Sequence, residues 1–137
     1  MGVVLDSSVV IAAERRGDIV TEMLQQIVAA TGDQRAVLSA VGLAELVHGI
    51  YRAQTIEARN RREAFIHELL NDVEVYPFAE ETAMLAGKIW GEQGSQGVTI
   101  PFADLLIGAT ALEVGYSLLT VNVRHFRLIP GLSVAQL

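Results

Sequence analysis

Ile100-Pro101-Phe102-Ala103-Asp104-Leu105-Leu106-Ile107-Gly108-Ala109-Thr110-Ala111-Leu112 is the stretch on which the reading of this chain turns. Pro101 suits the first turn of a helix, where its missing N–H costs nothing, and Thr99 stands just before it as a capping residue. From Phe102 to Val114 the segment is apolar on nearly every face, so most of this helix is expected to be buried. Asp104 is the one charge near its start. An ionised carboxylate in apolar surroundings is costly unless something pairs with it or coordinates it. No Lys or Arg lies within a helical turn. The partner must come from elsewhere in the fold, as a cation or a metal ion.

Length and composition narrow the choice. At 137 residues the chain is expected to form one domain, 1–137, with a single sizeable core. The absence of cysteine excludes disulfides and thiolate metal sites and fits a reducing compartment. Met1 to Leu5 runs straight into Asp6 without a basic segment or a sustained apolar run, so it does not read as a signal peptide. The longest apolar region, 105–121, is interrupted by Glu113 and is too short to span a bilayer. A cytoplasmic protein with no membrane partner is expected. A net charge of -6 argues against nucleic-acid binding through bulk basicity. It leaves room for a local basic groove, and for acids that hold divalent cations.

Outward from the central stretch, the pattern alternates between short strands and helices. Gly2 to Leu5 reads as a buried strand and Val9 to Glu14 as a short helix broken at Arg15-Arg16-Gly17-Asp18. Ile19, Met23, Leu24, Ile27 and Val28 recur at helical spacing, and Thr31 to Gln34 is a turn. Ala36 to Ser39 is a second strand, followed by helices over Val41–Arg52 and Thr55–Leu70. Val73 to Tyr76 alternates like a strand. Glu80 to Gln93 is a helix with acids in its first turn and an apolar stripe of Met84, Leu85, Ile89 and Trp90. Gly91 to Val98, with three glycines, is expected to be a mobile loop. Ser117 to Val121 is the last strand, and a tail follows. The alternation predicts an α/β fold with a central, mostly parallel β-sheet flanked by helices.

In such sheets, sites form at the carboxyl ends of the strands. Asp6 ends the first strand, Glu45 lies early in the helix after the second, Asp104 lies in the first turn of a helix, and Asn122 follows the last strand. Singly, three have a plain alternative: Asp6 or Ser7 as a helix cap, Glu45 on a wet helix edge, Asn122 as a turn residue; Asp104, among apolar neighbours, does not. Together, three carboxylates and an amide gather at one end of one inferred sheet. Clustered carboxylates repel unless a cation neutralises them. Oxygen ligands with neither Cys nor a His-x-x-x-His pair suit Mg²⁺ or Mn²⁺ rather than Zn²⁺. Such a site suits metal-assisted phosphodiester hydrolysis.

The ordered set of motifs resembles the PIN-domain ribonucleases, and among them the VapC-type toxins of bacterial toxin–antitoxin pairs. The matching pieces are Val3 to Ile11, Val41 to Leu46, Ile100 to Ala111, Leu119 to Phe126 and Ile129 to Leu132. The resemblance implies a PIN-like three-layer fold and a Mg²⁺-dependent endoribonuclease, with Mn²⁺ as the alternative ion. It implies that Asp6, Glu45 and Asp104 hold the metal and that Asn122 occupies a fourth position, frequently Asp in the family. Asn122 retains a carbonyl ligand but brings no charge. Ser8 and Thr120 match hydroxyl positions beside the metal, each with an ordinary capping or strand-end alternative. The resemblance further implies cleavage of cellular RNA, transfer or ribosomal, restraint by a VapB-like antitoxin, and a homodimer.

Two basic groups remain. Arg52, Arg59, Arg61 and Arg62 read chiefly as a solvated helix face. Arg124, His125 and Arg127 adjoin Asn122, and Arg124 is taken as an RNA contact because the guanidinium fork matches phosphate. His125 reads as a surface histidine, and His48 and His67 carry no signal. A haloacid-dehalogenase phosphatase would need an acid where Ser8 stands, and a receiver module would need a lysine near the site, whereas Lys88 is the only one. The remaining alternative is a catalytically weak or silent PIN-fold module that binds RNA or protein.

Overall fold

The chain is described by a computed structural model covering residues 1–137. Its centre is β1 (Gly2–Leu5), every residue of which is buried. β1 pairs in parallel with β2 (Arg35–Ser39) on one side and with β4 (Ser117–Thr120) on the other. Outside these lie β3 (Glu74–Tyr76), parallel to β2, and β5 (Val134–Gln136), parallel to β4. The strand order is β3-β2-β1-β4-β5. The expected mostly parallel sheet is therefore parallel throughout.

A parallel sheet needs cover on both faces, and successive strand residues point to opposite sides. Val3, Leu5, Leu38 and Leu119 enter one core, with side chains from α1 (Ser7–Arg16), α2 (Val20–Thr31), α3 (Ala40–Tyr51) and α4 (Ile56–Asp72). Val4, Val37 and Leu118 enter the other, beneath α5 (Glu80–Ser95), α6 (Phe102–Val114) and the short α7 (Val123–Phe126). Helices, sheet and helices make three layers. Alternation along a four-residue strand thus assigns one core to each face.

The central helix α6 spans the residues its sequence predicts, and Leu105 to Ala111 are buried apart from a partly covered Leu106. Pro101 occupies the N-cap position, no side chain caps the helix, and Thr99 plays no such part. Gly108 is a packing requirement: a Cβ there would lie 2.3 Å from Ile129 Cδ1, so α6 receives the segment after α7 at this point.

Several sequence expectations need correction. The glycine-rich stretch 91–98 is helical as far as Ser95, and Gly97, at φ +79°, makes the turn that follows. Packing of Ala86 and Ile89 on the second core outweighs the poor helix propensity of those glycines. On the same helix Met84 and Trp90 are exposed, and the buried stripe is Thr82, Ala86 and Ile89. On α2, Val20, Met23 and Ile27 are buried while Val28, and Ile19 at the N-cap position, face outward. The tail contains β5, a half-buried edge strand of three residues that is too short to show a period.

Candidate active site

The parallel topology brings the carboxyl ends of β1, β2 and β4 to one edge. Asp6 directly follows β1, and its N–H continues the ladder by donating to the Leu119 carbonyl at 2.9 Å. Asp6 stands at the N-cap position of α1, yet its side chain makes no capping bond. Its Oδ2 instead accepts from Ser8 Oγ at 2.6 Å and from Thr120 Oγ1 at 2.9 Å. Each hydroxyl has a single hydrogen, so both are spent on Asp6. Their own oxygens accept from backbone: Val121 N–H reaches Ser8 Oγ at 3.2 Å and Asn122 N–H reaches Thr120 Oγ1 at 2.9 Å. The capping reading of Asp6 is thereby replaced. Oδ2 is held by two hydroxyls, and no protein group donates to Oδ1.

Glu45 sits in the second turn of α3, whose start is fixed by Ser39 Oγ accepting from Gly42 N–H at 2.9 Å. Its Oε1 accepts from Ser7 Oγ at 2.8 Å. Asp104, in the first turn of α6, accepts at Oδ2 from His125 Nδ1, 2.8 Å away, because a carboxylate can only accept. His125 is thus the partner that Asp104 required, and its reading as a mere surface histidine is corrected. α7 carries it there, directly after the β4 end.

These acids sense one another. Burial pushes the Glu45 carboxyl above its ordinary range; the Ser7 bond opposes this, and the charges of Asp6 and Asp104 raise it further. Burial also raises Asp104, against the His125 bond, with Asp6 adding to the rise. Both shifts mean that negative charge is crowded into partly dry surroundings without enough compensating cation. The three do not form a closed cage, since no three acidic or imidazole groups converge tightly enough to ligate one ion directly. The donor set suits a hard divalent cation that keeps several waters and takes few protein oxygens.

Other predicted residues fare differently. Asn122 reaches the network through its backbone, while its side chain is exposed and makes no hydrogen bond in the protein. Arg124 is exposed on α7 and forms no ion pair. In the other basic group Arg61 lies 3.5 Å from Glu14, Arg62 donates to the Gly49 carbonyl at 2.7 Å, and Arg59 covers the Tyr51 ring. That face is structured rather than simply solvated. Sequence reasoning missed Ser7 and His125. Their legible signal was adjacency, Ser7 to Asp6 and His125 to the β4 end.

The PIN domain family model matches residues 3–132. Ribonuclease VapC1 of Rickettsia felis is 35% identical over 134 residues, 98% of this chain and 95% of that protein. The tRNA(fMet)-specific endonuclease VapC of Salmonella typhimurium is 28% identical over 100 residues, 73% of this chain and 74% of that one. The solved structure of VapBC2 from Rickettsia felis, bound to a DNA fragment from its promoter, aligns with a TM-score of 0.85. That alignment is 21% identical and covers 100% of this chain and 99% of the other. Sequence and fold agree: the chain belongs to the PIN-domain family, in its VapC ribonuclease group.

Proposed function

We propose that this protein is a Mg²⁺-dependent endoribonuclease toxin that cleaves transfer or ribosomal RNA in the cytoplasm and is neutralised by a cognate VapB-like antitoxin. One observation carries the reading: Asp6, Glu45 and Asp104, distant in sequence, converge at one sheet edge and two of them are pushed toward protonation by burial and mutual charge. Family membership supports ribonuclease chemistry, and the Salmonella relative's name supports a transfer RNA target. The Rickettsia assembly, solved as VapBC, supports an antitoxin partner. Exposed Met84, Trp90 and Phe102 on α5 and α6 offer apolar surface for the expected homodimer.

In this reading Asp6, Glu45 and Asp104 would hold Mg²⁺, or Mn²⁺ in its place, with waters completing its shell, and the exposed Asn122 would offer a neutral carbonyl oxygen. Bound there, such an ion would supply positive charge against the scissile phosphate and lower the pKa of a coordinated water. The chain's own residues do the positioning. Ser8 and Thr120 fix Asp6 at Oδ2 and leave Oδ1 for the site. Ser7 orients Glu45, His125 orients Asp104, and Arg124 contacts the RNA backbone.

The test is cleavage of total cellular RNA by wild type and Asp104→Asn, each with Mg²⁺, Mn²⁺ or EDTA. Discrete fragments from wild type alone, lost in EDTA, are expected. Folded, partner-free wild type that cleaves nothing under any condition would leave a silent binding module as the better account, with Asn122 as its cause.

A further inference from the structure

Beside the acidic edge the surface opens into a trough of about 610 Å³ between α1, α3 and the start of α4, with Glu45 and Ser7 in its wall. Arg15, Arg52 and Arg62 line it, with His48 and Thr55 between them. The chain has ten cationic residues and a net charge of -6, so their placement carries information. Arg16, Arg35, Arg61 and Lys88 are engaged with Asp18, Glu74, Glu14 and Glu92, respectively. Arg15 and Arg52 are exposed and have no ion-pair partner. Arg62 is half-buried and tethered to the Gly49 carbonyl, which uses one face of its fork. Arg124 and Arg127 are likewise free of ion pairs on and just after α7, while Arg15, Arg52 and Arg62 share one trough with Glu45.

We propose that Arg15, Arg52 and Arg62 form a phosphate track that holds the single-stranded RNA backbone leading away from Glu45. This rests on the ribonuclease reading above. Arginine forks recognise phosphate oxygens bidentately, and regularly spaced backbone phosphates suit a row of such forks. Polar and apolar surface share the trough wall about equally, and the three arginines on it give it the positive charge that an anionic backbone needs. These are positioning residues, remote from the reacting bond.

The test measures binding without cleavage. A fluorescein-labelled single-stranded RNA of about 12 nucleotides, within the span such grooves hold, is titrated in EDTA across a salt series. The proteins are wild type, Arg15→Ala, Arg52→Ala, the double variant, Arg62→Lys, and Lys88→Ala as a charge-matched control. Each lost phosphate contact is expected to lower the slope of log affinity against log salt by about 0.7, weakening binding about fivefold near 0.1 M salt. Arg62→Lys, which keeps the charge but not the fork, is expected to hold the slope and weaken binding. In Mg²⁺, KM for RNA cleavage should rise in the alanine variants with kcat unchanged. Equal slopes in the double variant and Lys88→Ala overturn the track, as does wild type that binds no RNA at any salt. So does polyglutamate binding that the double variant loses while RNA binding is untouched, which would assign the trough to an acidic protein segment. Normal RNA cleavage with equal slopes overturns the track alone, and altered slopes without cleavage overturn the nuclease reading alone.

Discussion

Thr120→Val removes one hydroxyl and keeps the shape of the side chain. Thr120 is fully buried at 0% exposure, and Asp6 is 5% exposed, so water cannot replace the lost donor. The bond is to a carboxylate, and such bonds contribute about 1.5–3 kcal/mol where a neutral pair contributes about 0.5–1.5. The Asn122 N–H also loses its acceptor, but it lies at the exposed rim, where water can serve it. The expected loss of stability is therefore about 2 kcal/mol. In an Asp6→Asn background the same bond is neutral and the loss falls to about 1 kcal/mol, a coupling of about 1 kcal/mol between the two positions. Urea unfolding in EDTA at neutral pH measures all four corners of the cycle. Ser8→Ala should cost less than Thr120→Val, because Ser8 is only partly buried. A coupling indistinguishable from zero would refute the claim that Thr120 acts through the Asp6 carboxylate.

Other expectations follow from the same geometry. Glu45 and Asp104 have raised carboxyl pKa values in the folded chain, so the folded state holds protons more tightly than the unfolded state over that window. Metal-free stability should accordingly be fullest below the ordinary values of 4.5 and 3.8 and fall as pH rises through the folded values. Glu45→Gln and Asp104→Asn should flatten that dependence and raise the urea midpoint in EDTA at pH 7, while abolishing RNA cleavage. His125→Ala removes the donor that lowers the Asp104 pKa, so the acid limb of the cleavage profile should move to higher pH. On the proposed reading of Asp104 as a metal ligand, activity should fall roughly 10–100-fold, the range for groups that orient such ligands. Gly108→Ala places a Cβ 2.3 Å from Ile129 Cδ1 and should cost about 1–3 kcal/mol by thermal unfolding, with the acidic edge intact.

The fold was legible wherever a segment is buried on one decisive pattern. Gly2 to Leu5 is apolar throughout and Phe102 to Val114 nearly so, because both faces of a parallel strand, and most faces of α6, meet other side chains. The short edge strand Val134–Gln136 gave no such signal, since its order comes from β4 beside it. Exposed Met84 and Trp90 misled for a related reason. Hydrophobicity marks candidates for burial, and only packing decides which of them are covered. At the site, Asp6, Glu45 and Asp104 could be read from their places at strand ends and helix starts. Their individual partners could not, because Ser7–Glu45 and His125–Asp104 join residues 38 and 21 positions apart through tertiary packing.

The strand order β3-β2-β1-β4-β5 also has a consequence for synthesis. β1 is made first, but its partner β4 comes more than a hundred residues later, and Asp104 enters only with α6. A chain still emerging from the ribosome therefore carries Asp6 and Glu45 without the third carboxylate or the Thr120 clasp. Long-range parallel pairing of this kind forms late. The acidic edge thus assembles only after α6 and β4 have been made, and the residues before them cannot form it alone.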